Sequence, residues 1–222
     1  MSSSDMQILL TKLPGSTAET VYMVLASTAL ACILGFPLGA FLYSSSPGGL
    51  KPRRLAYNAL SRIVNLFRSL PFIILMILLI PFTRMLVGTS IGSTAAVIPL
   101  SIAAAPFVAR IVESALAEVD PGVITAALAM GSTDFQILRK VLVPEAMPAL
   151  VSGLALTMIN LIGYSAMAGA IGGGGLGNLA INYGYYRFHA NVMIAAVIVI
   201  LLLVEIIQLA GTAISRSLLS KR

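Results

Sequence analysis

Charge is scarce in this 222-residue chain, because Asp, Glu, Lys and Arg together make up only 10% of it. A typical soluble domain carries about 25% charged residues. The mean hydropathy is +0.98, so the few charged side chains could not cover the surface of so apolar a soluble protein. Tryptophan is absent, and any aromatic belt at a membrane surface would therefore have to use tyrosine.

Groups that catalyse reactions or bind metals are equally sparse. Cys32 and His189 are the single residues of their kinds, so no intrachain disulfide can form and the two cannot supply a metal site. The Gly-Lys dipeptide of a phosphate-binding Walker A loop is missing. We therefore expect no catalytic residue, no metal site and no cofactor on this chain. His189 is expected to be an exposed loop residue without a positioned acid.

Long apolar runs are what the sequence has in abundance. Five of them could cross the ~30 Å hydrocarbon core of a bilayer as helices. The second is approached by Arg62 and Arg68, whose side chains are expected to reach the headgroups. The sequence thus predicts an all-α integral membrane protein with one domain over residues 1–222. The predicted spans cover approximately residues 20–42, 56–86, 95–112, 149–170 and 192–213.

The basic residues predict the orientation of these spans. With the amino terminus outside, only Lys12, Arg84 and Arg187 lie in outer segments. Because basic residues favour the cytoplasmic side, the amino terminus is predicted to be periplasmic and the carboxyl terminus cytoplasmic. The net charge of +6 then needs no nucleic-acid partner. The predicted inner segments hold Lys51, Arg53, Arg54, Arg62, Arg68, Arg110, Arg139, Lys140, Arg216, Lys221 and Arg222.

An odd number of spans without a visible inverted repeat is unlike a complete secondary transporter, which usually contains two related halves. A short chain with five spans is better explained as half of a symmetric assembly with a pathway along its two-fold axis. The sequence therefore predicts a homodimer.

The longest polar interruption, residues 119–148, is a predicted cytoplasmic loop between spans three and four. Asp120 and Pro121 form a helix start, with an N-cap followed by proline at the first position. Gly131 is a typical left-handed helix terminator. Between them, one face is predicted to hold Val123, Ala126, Ala127 and Met130.

A second short helix is predicted in the same loop. Thr133 and Gln136 have the spacing of a capping box, and the helix is expected to end near Pro144. Two interpretations of the loop remain open. Its helices could pack on their own chain, or the first could insert into a groove on a partner protein.

One stretch of this loop resembles a known family. The run TAALAMGS from Thr125 to Ser132, followed by Ile137, Val141 and Pro144, is similar to the EAA loop of ABC importer permeases. In that family the loop forms a coupling helix that docks in a cleft of the nucleotide-binding subunit. The resemblance implies ATPase coupling by Thr125, Ala126, Ala127, Met130, Gly131, Ser132 and Pro144. Thr125 stands where the family usually has Glu, and threonine cannot form the salt bridge that this Glu would make.

Further stretches extend the resemblance from about residue 20 to residue 213. They are similar to the permease of methionine importers, which have the fold of type I ABC importer permeases. The resemblance implies a homodimer, two cytoplasmic ATP-binding subunits that hold ATP and Mg, an external methionine-binding protein and alternating access in the bacterial inner membrane. These stretches are RSLPFIIL at Arg68–Leu75, IPFTR at Ile80–Arg84, GYSAMAG at Gly163–Gly169, and Gly172–Gly177 followed by NYGY at Asn182–Tyr185.

Span four offers candidates for a translocation path. Asn160 and Tyr164 are four residues apart and share a helix face, and Met167 has a flexible side chain suited to a gate. An equally good interpretation is interhelical hydrogen bonding and packing. The candidate path residues are Met158, Asn160, Tyr164, Ser165 and Met167.

Two other features leave alternatives open. Glu205 is an acid well inside a predicted span, where it could relay protons or form a structural pair. The Gly172-x-Gly174-x-x-Gly177 motif follows a membrane helix rather than a strand, so it is expected to be a flexible external loop and not a dinucleotide site. For the whole chain, a permease for another nutrient and a structural subunit of a membrane complex remain alternatives.

Overall fold

The computed structural model describes residues 3–220, and every regular element within that range is helical. The all-α class is therefore confirmed. The elements are α1 (Ser3–Ser45), α2 (Arg54–Ser69), α3 (Phe72–Leu78), α4 (Ile80–Val87), α5 (Ser93–Ala117), α6 (Pro121–Ala129), α7 (Asp134–Ile137), a π-helical segment (Leu138–Leu142), α8 (Val143–Ala170), α9 (Gly175–Asn178), a second π-helical segment (Leu179–Tyr185) and α10 (Ala190–Leu219).

Four of the described helical segments are long and apolar enough to cross a membrane. A fifth span results if the bent pair α2 and α3 counts as one, so the number of five stays a prediction. Helix α1 begins well before the predicted residue 20, because polar residues near its start are tolerated in a helix that is already nucleated. The four segments are Asp5–Ser45, Ser93–Ala117, Asp134–Ala170 and Ala190–Leu219.

The prediction of one continuous helix over residues 56–86 is wrong. The chain leaves the helical state at Leu70 and Pro71 and breaks again at Leu79, which gives three helices. Sterics between proline and its predecessor disfavour the α conformation at Leu70, and this outweighs the apolar composition. Helix α2 is consequently a separate amphipathic element.

The chain forms two compact units. The first contains Met1–Leu30, Leu70–Ala104 and Thr157–Gln208, and the second contains Ala31–Ser69, Ala105–Leu156 and Leu209–Arg222, each described within residues 3–220. The transmembrane domain of residues 1–222 stays a prediction.

Close helix packing characterises the second unit. A Cβ atom added at Gly35 of α1 would lie 2.6 Å from the carbonyl oxygen of Ala105 in α5, so only glycine permits this approach. Beside it, Leu42, Val64 and Ala109 form a buried cluster that joins α1, α2 and α5.

In the first unit, the start of α1 packs on the elements around residue 190. Leu179, Val192 and Ala196 form a buried cluster there. Asp5 Oδ1 lies 2.7 Å from His189 Nδ1, and Asn191 Nδ2 donates a 2.7 Å hydrogen bond to Asp5 Oδ2. The expectation that His189 has no positioned acid is therefore wrong, because the acid comes from the far end of the chain.

Candidate functional site

Helix α6 is built by local signals at both ends. Asp120 Oδ1 accepts a 2.7 Å hydrogen bond from the backbone N–H of Gly122, and Pro121 is the first helical residue. The predicted N-cap is therefore confirmed. Thr125 Oγ1 donates a 2.9 Å hydrogen bond to the carbonyl oxygen of Pro121, so this hydroxyl bonds within α6.

The end of α6 is a Schellman motif. Gly131 has φ +78°, and its N–H donates to the carbonyl of Leu128 at 2.9 Å. The N–H of Ser132 donates to the carbonyl of Ala127 at 3.1 Å. The predicted terminator at Gly131 is confirmed, and the two bonds fix the direction in which the chain leaves the helix.

The predicted single face of α6 is divided in the structure. Ala127 is buried on its own chain, whereas Ala126 and Thr125 are exposed. Met130 is 79% exposed, and the nearby Phe135 of α7 is 68% exposed. Val123 and the small Ala126 share the side of Met130, so this side of α6 is exposed and apolar, whereas the exposed Leu128 lies on the opposite side.

Helix α7 follows immediately and is fixed to the second unit. The N–H of Thr133 donates to Gln136 Oε1 at 2.9 Å, and the N–H of Gln136 donates to Thr133 Oγ1 at 3.4 Å, which confirms the capping box. Lys51 Nζ forms a 2.6 Å ion pair with Asp134 Oδ2. These contacts hold the α6–α7 pair in place.

The prediction that this second helix ends near Pro144 is wrong. Residues Asp134–Ala170 form one helical segment that contains the π-helical turn Leu138–Leu142. The N–H of Val143 bonds to the carbonyl of Leu138. In a regular α-helix, the ring of Pro144 would clash with the preceding turn, and its nitrogen has no N–H to donate. The wider π-helical turn before Pro144 accommodates the ring.

A cavity of about 450 Å³ adjoins the start of α6 within the second unit. Carboxylates of Glu118, Asp120 and Glu145 line it together with Ser152 and Ser215. Ser215 Oγ donates a 3.0 Å hydrogen bond to the carbonyl of Pro148. The chain therefore presents negative charge at one side of α6 and apolar surface on α6 itself.

The five candidate path residues do not converge. Asn160 and Met167 are exposed and lie on one stripe of α8 with Gly163. Ser165 is buried and donates a 2.7 Å hydrogen bond to the carbonyl of Ile162, as the packing interpretation expects. Met158 lines a small apolar pocket with residues of α1 and α10.

Tyr164 has a partner that the sequence did not indicate. Its ring stacks on Phe72, with ring centroids 4.7 Å apart and an interplanar angle of 3°. Phe72 is the first residue of α3 and is buried. The stack connects the exposed stripe of α8 to the short helix that follows Pro71.

The glycine-rich segment after α8 is packed rather than free, so the expectation of a flexible loop is wrong, whereas its external location stays a prediction. Gly175, Leu176 and Gly177 are buried. Glu19 Oε2 accepts a 2.6 Å hydrogen bond from the N–H of Gly175, and Thr20 Oγ1 accepts one of 2.9 Å from that of Leu176. The sequence signal for this contact was Glu19, a single acidic residue at the start of an apolar run.

Metal-ligating side chains are dispersed. Within residues 3–220, no group of three or more His, Cys, Asp or Glu is placed to hold a metal ion. Glu205 lies on an exposed surface of α10.

A family model matches residues 35–220, which is most of the chain, and its description is binding-protein-dependent transport system inner membrane component. The chain belongs to this family. The resemblance found in the loop around Thr125–Ser132 is therefore confirmed. Membership makes the chain a permease component of an inner-membrane transport system.

Relatives of this permease match it along nearly its whole length. The probable D-methionine transport system permease protein MetI of Vibrio cholerae is 47% identical over 201 residues, which cover 90% of this chain and 89% of the relative. The methionine import system permease protein MetP of Bacillus subtilis is 49% identical over 213 residues, or 96% of each chain.

A solved structure supports the same fold for this permease. Inward-facing conformations of the MetNI methionine ABC transporter include a chain with 47% identity and a TM-score of 0.92. The match covers 98% of the present chain and 99% of the other. The fold is therefore that of an ABC transporter permease.

Proposed function

We propose that this chain is the membrane-spanning permease of an ATP-driven importer for methionine, including its D-form and close analogues. The observation that supports this most strongly is the match to the MetNI methionine ABC transporter over 98% of the chain. The names of the relatives from Vibrio cholerae and Bacillus subtilis specify methionine transport as well. Transport proceeds by alternating access.

The proposed assembly contains two copies of this chain, two cytoplasmic ATP-binding subunits and an external methionine-binding protein. ATP and Mg bind to the ATP-binding subunits, which perform the hydrolysis, and residues 1–222 act as one transmembrane domain. The amino terminus lies in the periplasm and the carboxyl terminus in the cytoplasm, as the distribution of basic residues favours.

Coupling occurs through the surface of α6. An exposed apolar patch on a short helix suits insertion into a groove, and Met130 and Ala126 supply a protruding and a flat part of that patch. The Schellman motif at Gly131 and the ion pair of Lys51 with Asp134 hold α6 rigidly in place. The coupling residues are Thr125, Ala126, Ala127, Met130, Gly131, Ser132 and Pro144. Ala127 contributes by packing against its own chain.

The path follows the exposed stripe of α8. Asn160 and Met167 line it, and Tyr164 borders it through its stack on Phe72. Met158 and Ser165 support α8 from other sides. Such a path offers few polar groups to hold cargo, so selection for methionine rests largely with the external binding protein.

Reconstitution tests the proposed function. Proteoliposomes that contain this chain and its ATPase, with the binding protein outside and ATP inside, are expected to accumulate labelled methionine. Unlabelled D-methionine should compete, whereas histidine and alanine should not. Vesicles with a non-hydrolysable ATP analogue give the background.

Two results would contradict the proposal. Preferential uptake of another amino acid would make the chain a permease for a different nutrient. Co-purification with a respiratory or secretion complex and without any ATPase would make it a structural subunit.

A further inference from the structure

Arg110 lies on α5, and its guanidinium group also contacts α2. Its Nη2 donates hydrogen bonds of 3.0 Å to the carbonyl of Ser61 and to Asn65 Oδ1, and it bonds to Ser61 Oγ as well. Ser61 and Asn65 are four residues apart, so they share one face of α2. Three acceptors on one helix therefore hold a single nitrogen of an arginine on another.

Glu113 holds the same arginine from its own helix. Its Oε2 accepts a 2.6 Å hydrogen bond from Arg110 Nη1, and the two side chains are only 13% and 19% exposed. The planar guanidinium group has its donors in a fixed fork. Nη1 is therefore bonded within α5, while Nη2 is bonded to α2.

Stability alone does not explain an arginine at this position. Arg110 Nε is buried and, within residues 3–220, has no hydrogen-bond partner. A buried donor without a partner destabilises the folded state, and apolar residues often replace buried ion pairs without loss. Leu42, Val64 and Ala109 already pack α2 against α5 through apolar contacts. What the arginine adds is a directional polar link between the two helices.

Helix α5 leads directly into α6. It ends at Ala117, and α6 begins at Pro121. The short connection is ordered, because the N–H of Glu118 donates to the carbonyl of Ser114 at 3.1 Å and Val119 is buried. A displacement of α6 therefore passes to α5 instead of being absorbed by a loose loop.

Helix α2 leads in turn to the helix of the proposed path. Two residues separate the end of α2 from Phe72, the first residue of α3. One of the two is Pro71, whose ring restricts its backbone. Phe72 stacks on Tyr164 of α8. The chain thus offers a continuous route from α6 through α5, Arg110 and α2 to the ring of Tyr164.

We propose that Arg110 is a positioning residue for energy coupling. Its hydrogen bonds make α2 follow α5 when an ATP-binding subunit moves α6, so that Phe72 shifts the ring of Tyr164 beside the path. The inference rests on the proposed coupling through α6. It adds the residue that transmits the movement from α5 to α2.

Coupled transport by the reconstituted complex, with its ATPase and binding protein, tests this inference. Arg110→Lys keeps the positive charge beside Glu113 but lacks the fork that also reaches α2. ATP hydrolysis should continue, while the methionine imported per ATP hydrolysed should fall roughly tenfold, because hydrogen bonds to a charged group are lost. Arg62→Lys makes the same replacement at an exposed position of α2 and should leave this ratio unchanged.

Asn65→Leu tests the same link from the side of α2 and keeps the pair of Arg110 with Glu113. It should lower the ratio roughly threefold. The double variant Arg110→Lys/Asn65→Leu should be no worse than Arg110→Lys alone, because both changes remove one link. Multiplied effects would overturn the inference. Asn65 is exposed, so this variant decides the matter even if Arg110→Lys fails to assemble.

Hydrogen exchange shows whether the movement reaches Phe72. A non-hydrolysable ATP analogue should change deuterium exchange in peptides spanning residues 70–80 and 118–133 of the wild-type complex. In Arg110→Lys only the second peptide should respond. An equal response of the first peptide in both proteins, or an undiminished import ratio in Arg110→Lys, would overturn the inference.

Failure of the proposed function would look different. A wild-type complex that imports no methionine would contradict the proposed function. The exchange measurement would still decide the role of Arg110, because it requires no transport.

Discussion

The carboxylate of Glu19 in α1 accepts a 2.6 Å hydrogen bond from the backbone N–H of Gly175, a residue 156 positions later in the chain. Thr20 Oγ1 accepts a 2.9 Å hydrogen bond from the next backbone N–H, that of Leu176. Two successive residues of α1 therefore hold the segment that follows α8. Any movement of this segment during transport has to carry α1 along or break these bonds.

Removing the Glu19 carboxylate should loosen that segment. In Glu19→Ala the amide of Gly175 is expected to exchange with deuterium roughly tenfold faster, because its hydrogen bond to the carboxylate is lost. Exchange mass spectrometry on a peptide spanning residues 170–180 measures this. Lys12→Gln, at an exposed position of the same helix, should leave the exchange unchanged, and equal exchange in Glu19→Ala would refute the role of Glu19.

The contact of α1 with α5 predicts a contrast between two glycines. Gly35→Ala should lower the free energy of unfolding by about 1–3 kcal/mol, because the new methyl group meets the Ala105 carbonyl. Gly15→Ala on the same helix meets nothing within 4 Å and should be neutral or slightly stabilising. Thermal unfolding in detergent compares the two. Equal midpoints would contradict the close packing.

The stack of Phe72 on Tyr164 predicts non-additive effects. In a double-mutant cycle with Phe72→Leu and Tyr164→Leu, the coupling energy for unfolding should be about 0.5–1.5 kcal/mol. The pair Tyr164→Leu and Phe188→Leu should be additive, because Phe188 is 91% exposed. Additivity in both cycles would show that the two rings do not interact.

Local signals could be predicted from the sequence, and distant contacts could not. The caps at Asp120 and Gly131 and the box of Thr133 with Gln136 depend on residues within a few positions of each other. The pairing of His189 with Asp5 links residues 184 positions apart, and no periodic pattern in the sequence indicates such a contact.

Proline illustrates the limit of local rules. Pro71 interrupts the second predicted span, whereas Pro144 lies inside a continuous helix. The difference is the π-helical turn before Pro144, whose wider spacing accommodates the ring. A single sequence does not indicate where such a turn forms.

For the candidate path residues, the sequence could not show which way each side chain of α8 faces. Asn160 and Met167 are open, whereas Ser165 is buried and Met158 lies against α1 and α10. Which stripe of a membrane helix is free depends on the neighbours it packs on. The role of each residue in transport stays a prediction.

The proposed orientation predicts which thiols are accessible from outside. On a Cys32→Ser background, Phe188→Cys should react with a membrane-impermeant maleimide in intact spheroplasts. Phe135→Cys should react only after permeabilisation, although 68% of the Phe135 side chain is exposed. The reverse pattern would mean that the topology is inverted and that α6 cannot meet a cytoplasmic ATPase.

The most direct measurement of the central claim is methionine-stimulated ATP hydrolysis by the reconstituted transporter carrying Ala126→Arg. Ala126 is exposed on α6, and a charge there should disrupt docking and reduce stimulation at least about tenfold. Ser217→Arg, at an exposed position near the end of α10, should be stimulated like wild type. In both variants the membrane dimer should remain intact. Undiminished stimulation in Ala126→Arg would contradict coupling through α6.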